Sequence, residues 1–139
     1  MIAYDPDNIF AKILRNEIPC HKIYEDMGTL AFMDVMPMTD GHCLVIPKRP
    51  VRTLLDLDSN MLSFLIDATK KVSGAAVKAM AADGFQLRQY NEAAGGQTVF
   101  HLHFHVLPMK EGVSLRPHTG QMADHALLAA QAELIRAAL

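Results

Sequence analysis

The chain has 139 residues, half of them hydrophobic, with a net charge of −2 and two cysteines. That length and apolar share suit one globular domain with a substantial core. The near-neutral balance, with no strongly basic run, excludes the electrostatic footprint of a nucleic-acid binder. Charges also interrupt every apolar stretch before the about 18 residues that a membrane span requires, so no membrane partner is expected.

The first seven residues, Met1 to Asp7, carry two acids and no basic region, which is unlike a secretory signal. Cys20 and Cys43 are therefore expected to be reduced thiols in a cytoplasmic protein. Ile9, Phe10, Ile13 and Leu14 have helical spacing, and Pro19 stops that helix. Two strand-like runs follow, His21–Glu25 and Leu30–Val35, separated by the turn residues Asp26 to Thr29. A loop from Met36 to Gly41 leads into a third strand, His42–Pro47.

From about Leu57 to Ala82 the period becomes helical. Leu62, Leu65, Ala68, Val72, Ala76 and Met80 recur at steps of three and four, and Asp58 or Ser59 caps the start. Gly74 inside this helix is read as a point of close packing against the sheet. Phe85–Asn91 returns to strand alternation, and a tail from Met122 to Leu139 reads as an amphipathic helix. Asp124 near its start and Arg136 near its end suit the helix dipole. Short consecutive strands favour antiparallel pairing, so the fold class is α+β, with helices packed on an antiparallel sheet meander.

The most informative stretch is His101-Leu102-His103-Phe104-His105-Val106-Leu107. Its alternation is that of a half-buried strand, which would set three imidazoles along one surface line and send Leu102, Phe104 and Val106 into the core. Imidazole changes charge near pH 6.5, which suits it to nucleophilic and acid–base work. One metal ion cannot collect all three rings: residues i and i+4 on a strand lie about 13 Å apart, against ligand bonds of about 2 Å. Solvated surface histidines would account for one such residue better than for three. The remaining reading is chemical, with the middle ring attacking and its neighbours orienting it. Gly95-Gly96-Gln97-Thr98 immediately upstream adds backbone that can approach a ligand closely and form an anion-binding concavity.

The run His101 to Leu107 matches in full the His-φ-His-φ-His-φ-φ pattern of the histidine-triad (HIT) superfamily, which the chain resembles. Ile9-Phe10, Ile23-Tyr24-Glu25-Asp26, Ala31-Phe32-Met33-Asp34, Gly41-His42, Leu44-Val45-Ile46-Pro47 and Gly95 to Val99 sit in the familiar order. The resemblance implies a single HIT domain over residues 1–139, with a core of about 8–110 and a helical extension of about 111–139. It implies that His103 attacks the α-phosphorus of a nucleotide, forming a nucleotidyl–imidazole that water releases. His105 would donate to phosphate oxygens, and His101 would orient the nucleophile. Gly96, Gln97 and Thr98 would stabilise charge around phosphorus, and His42 would stand behind the triad. Asp34 would accept from the ribose hydroxyls, Ile9, Phe10, Phe32 and Val35 would enclose the base, and Asn91 would complete the nucleotide site.

Some relatives bind structural zinc through a Cys-x-x-Cys and two histidines. Here Asn8, Ala11 and Pro50 stand at three of those four places, so no metal and no cofactor is expected. The expected partners are a purine nucleotide of AMP type and a second copy of the chain. The leading function is hydrolysis of nucleoside phosphoramidates. The alternatives are cleavage of dinucleoside polyphosphates of the Ap3A or Ap4A type, a nucleotide sensor or scaffold with incidental activity, and a metal-binding protein without covalent chemistry. Lys110, Arg116 and the terminal helix are candidates to shape the leaving-group side.

Overall fold

A five-stranded antiparallel sheet in the order β1-β2-β3-β5-β4 organises the chain. The computed structural model describes residues 2–118 and 121–139. The elements in chain order are α1 (Ile9–Leu14), β1 (Lys22–Glu25), β2 (Thr29–Met33), β3 (Cys43–Pro47), α2 (Ser59–Ala79), β4 (Gly84–Arg88), β5 (Phe104–Met109) and α3 (His125–Ala137). Only the first three strands form a meander. The chain then crosses the sheet as α2, lays β4 at the far edge and returns as β5 between β3 and β4.

Both faces of the central strands are covered, which is why β2 and β3 are buried at every position. On one face Ala31, Met33, Cys43, Val45 and Val106 pack beneath α2 and α3, against Leu65, Val72, Leu128 and Ile135. On the other, Leu30, Phe32, Leu44 and Ile46 meet Phe10 and Ile13 of α1. The caps are those the residue types favour: Asn8 accepts from Ala11 N–H, Asp58 from Met61 N–H and Asp124 from Ala126 N–H. Among the described residues, no helix is long and apolar enough to cross a membrane.

Two sequence expectations change. Gly74 is exposed, and a Cβ there would meet nothing within 4 Å, so it packs against no part of the sheet. The histidine run is not a surface row either. β5 begins only at Phe104, and His101, Leu102 and His103 precede it as irregular chain, all three buried. Phe104 is half-buried and packs, as expected, against the core that holds Leu102 and Val106. The alternation was sound from residue 104 onward, but the chain enters the sheet later than the pattern suggested.

Candidate functional site

The β5 register sets His105 opposite Leu44 of β3 and Arg88 of β4, so these three side chains share the sheet face that α1 covers. Two cavities open on this face. The larger, about 400 Å³, is bounded by Ile9, Phe10, Phe32, Val35, Leu44 and Val99, with Asp34 and Met122 at its margin. The smaller, about 280 Å³, is bounded by Met38, Arg88, Tyr90, Gly96 and Leu107. Thr98, His103, His105 and His118 belong to both, so the imidazoles stand at the seam.

Hydrogen-bond partners determine each tautomer, because a carbonyl can only accept and a backbone N–H can only donate. His103 Nδ1–H donates to the His101 carbonyl at 2.7 Å, which leaves the Nε2 lone pair unprotonated. The Phe10 ring meets His103 edge-on, centroids 4.9 Å apart, and holds it in that plane. His101 Nε2–H donates to the Pro47 carbonyl at 2.8 Å, so its Nδ1 accepts the Tyr4 hydroxyl at 2.6 Å. His42 Nδ1 accepts from Met38 N–H at 3.0 Å, so its proton sits on Nε2 and is donated to His105 Nδ1 at 2.9 Å. His105 in turn carries its proton on Nε2. Within the triad, His103 thus offers an imidazole lone pair beside the N–H donor of His105.

Burial keeps these rings neutral. Desolvation disfavours the imidazolium and brings His42 to about 2, with neighbouring histidines adding to the effect. Burial likewise brings His105 to about 3 and His101 to about 4, the latter against its bond to the Pro47 carbonyl. His103 is lowered chiefly by burial, partly offset by its bond to the His101 carbonyl and by the Asp34 charge.

Asp34 Oδ1 accepts from Met36 N–H at 2.8 Å, and Oδ2 accepts from His118 Nε2–H at 2.8 Å. Asp34, His42 and His105 each place one ligand atom within 4.8 Å of the others, a spacing a metal could use. Ligation through His42 Nε2 would require moving its proton to Nδ1 and giving up the Met38 bond. The donor set therefore fits a hydrogen-bond chain and does not fit a metal centre.

The structure brings together most of the residues singled out from the sequence: His103, His105, Thr98, Gly96, Asp34, Ile9, Phe10, Phe32 and Val35 all line the two cavities. His42, fully buried, stands behind His105 as expected. His101 lines neither cavity and reaches the site only through its carbonyl and ring position.

Gln97 and Asn91 are corrections. The Gln97 side chain accepts from Glu92 N–H and donates to the Arg52 and Val99 carbonyls, so it ties the loop together and does not face the seam. Asn91 accepts from Leu54 N–H and exchanges bonds with Gln89, in the same kind of role. The expected concavity of backbone donors is also largely spent, since Gly95, Gly96 and Gln97 N–H groups all donate to carbonyls of Glu92 and Ala93. Gly96 instead supplies a turn at φ +96°, where an added Cβ would come within 3.1 Å of the Tyr90 ring.

Lys110 and Arg116 do not line the seam cavities. Arg116 sits in a separate cavity with Pro37 and Gln131 and pairs with Asp40. The cation in the smaller seam cavity is Arg88. Sequence reading also passed over His118, Tyr4, Met38 and Tyr90. His118 lies in a stretch without periodicity, and its only signal was a histidine set between Pro117 and Gly120.

Comparison with known proteins agrees with this geometry. The HIT domain family matches residues 15–112. The chain belongs to the HIT family. Among HIT relatives, a protein of Arabidopsis thaliana named adenylylsulfatase HINT3 is 40% identical over 119 residues, spanning 81% of this chain and 60% of that protein. The crystal structure of a Hit-like protein from Bartonella henselae, described as involved in cell-cycle regulation, superposes with a TM-score of 0.94 at 50% identity, covering 99% of this chain and all of that one. A histidine triad nucleotide-binding protein from Sulfolobus tokodaii superposes with a TM-score of 0.86 at 31% identity, covering 93% and 89%. HIT proteins are nucleotide-binding hydrolases and transferases, and this chain has their fold and their triad.

Proposed function

We propose that the chain is a nucleotidyl hydrolase acting at the α-phosphorus of a purine nucleoside 5′-phosphate derivative through a covalent nucleotidyl–His103. The observation that carries this reading is the tautomer of His103. Its Nδ1 proton is held by the His101 carbonyl, so an unprotonated Nε2 stands in the seam at neutral pH. The His105 N–H beside it suits a non-bridging phosphate oxygen as charge develops there. The base would fill the larger apolar cavity, and Asp34 at its margin would accept from the ribose hydroxyls. His42 fixes the proton position on His105, and the Tyr4–His101 contact supports the carbonyl that orients His103.

The displaced group is a phosphoramidate nitrogen in the first reading, as the family resemblance implies. A second reading, an acid-anhydride oxygen, is favoured by Arg88 in the smaller cavity and by the adenylylsulfatase name of one relative. Both proceed through the same intermediate. Rapid-quench kinetics with an adenosine phosphoramidate test it. A burst of amine release equal to the enzyme concentration, lost in His103→Ala, is expected. Tight AMP binding with no release from any substrate would favour a sensor and refute the enzyme reading.

We also propose a homodimer of HIT protomers joined through β4. That strand is one of the two edges of the sheet, and Phe85 and Leu87 on it are each nearly half exposed, 48% and 45%. Pairing the edge with a second copy would satisfy its backbone groups and cover those side chains together with Ile66 of α2.

A further inference from the structure

We infer that the smaller seam cavity is a leaving-group subsite for an anion, and that Arg88 is its specificity-determining residue. The inference rests on the reading of His103 as the nucleophile and adds the class of group displaced.

The two cavities meet at His103, His105 and Thr98, so a phosphorus attacked by His103 sits between them. The larger cavity is apolar and carries Asp34 at its margin, which suits a base and its ribose. Whatever the phosphorus loses must then lie in the smaller one. There the half-buried Arg88 shares the sheet face of His105, its register partner. Its Nε and Nη2 donate to Gln86 Oε1 at 3.2 and 2.9 Å. No carboxylate pairs with it within 4.0 Å among the described residues, whereas Arg15, Arg52 and Arg116 each have an acidic partner. A guanidinium offers five N–H donors in a planar fork, and the Gln86 amide oxygen leaves most of them for a sulfate, phosphate or carboxylate.

The proton inventory points the same way. In the first step the His103 Nε2 lone pair forms a bond to phosphorus while the bond to the bridging oxygen breaks, and its electron pair leaves on that oxygen. The departing anion needs no proton. Water then forms the new P–O bond, the P–N electron pair returns to His103, and one proton passes to solvent. An amine nitrogen would instead have to be protonated as it leaves. A fixed guanidinium such as Arg88 stabilises a departing anion and has no comparable attraction for a neutral amine.

The test compares adenosine 5′-phosphosulfate, which loses an anion, with an adenosine phosphoramidate, which loses a neutral amine. Arg88→Met should lower kcat/KM for the phosphosulfate about 10- to 100-fold, the range for a lost charge-assisted hydrogen bond, and the phosphoramidate value far less. Arg88→Lys should recover much of the loss. A fall of equal size on both substrates would place Arg88 on the α-phosphate or in the support of the strand, and would overturn the inference. No change on either would overturn it as well. Kd for the phosphosulfate, compared between His103→Ala and His103→Ala/Arg88→Met, reads the subsite without any covalent step. A wild-type protein that turned over neither substrate would refute the nucleotidyl–His103 reading, while that Kd ratio would still decide the role of Arg88.

Discussion

Met38 N–H, a backbone group that touches neither His103 nor His105, decides where the proton of His105 sits. It donates to His42 Nδ1, His42 donates onward, and the His105 proton is left on the nitrogen that phosphate would meet. The same logic runs from Tyr4 through His101 to His103. Tyr4→Phe leaves the fully buried His101 with an unmatched acceptor and should lower stability by about 1 kcal/mol, read by urea denaturation. An unchanged midpoint would mean that the hydroxyl contributes nothing. Asp34→Asn should weaken AMP binding about tenfold in a calorimetric titration, since a hydrogen bond to a charged acceptor is worth about 1.5–3 kcal/mol. Undiminished affinity would remove Asp34 from the ribose contact. His103, His105, Asp34 and Phe10 carried their meaning in the sequence because a triad, an acid after a strand and a clustered apolar helix are local patterns. Gln97 and Asn91 misled because their amides are equally able to bind a ligand or a loop. Only the partners, here Glu92, Arg52, Val99, Leu54 and Gln89, decide between the two.

At the level of elements, helices and strands announced themselves by period, and α2 starts at the Asp58 cap that its residue type suggested. The order of the strands did not. Nothing local says that β5 inserts between β3 and β4, because strand order is decided by the crossing of α2 over the sheet. That crossing is what sets Arg88 beside His105, so the cation of the smaller cavity was invisible in a chain where sixteen residues separate the two. Gly74 lies on the outer side of α2 in open space, with nothing for a methyl group to strike. Gly74→Ala should therefore raise stability by about 0.5–1 kcal/mol in thermal or chemical unfolding, through helix propensity alone. A loss of stability would show that this side of α2 packs against something, a second copy included.

For the molecule as a whole, three buried neutral histidines tie stability to pH. His42, His101 and His105 have folded values of about 2, 4 and 3, below the ordinary value near 6.5. Their contribution is full above about pH 6.5. Below it the unfolded chain takes up protons that the folded chain refuses, and the loss continues down to those folded values, at up to about 1.4 kcal/mol per pH unit for each group. The urea midpoint should fall between pH 7.5 and pH 5, and equal midpoints would contradict the burial argument. Leu87→Glu on the β4 edge should convert the proposed dimer to monomer in light scattering with the circular dichroism of the fold intact. A dimer that persists would place the interface elsewhere. The most direct measurement is the intact mass of the protein, acid-quenched during turnover of an adenosine phosphoramidate and of adenosine 5′-phosphosulfate, with the adduct mapped by peptide. The account predicts a transient gain of one AMP on His103, absent in His103→Ala. Turnover at full rate without that adduct, or an adduct on another residue, would contradict it.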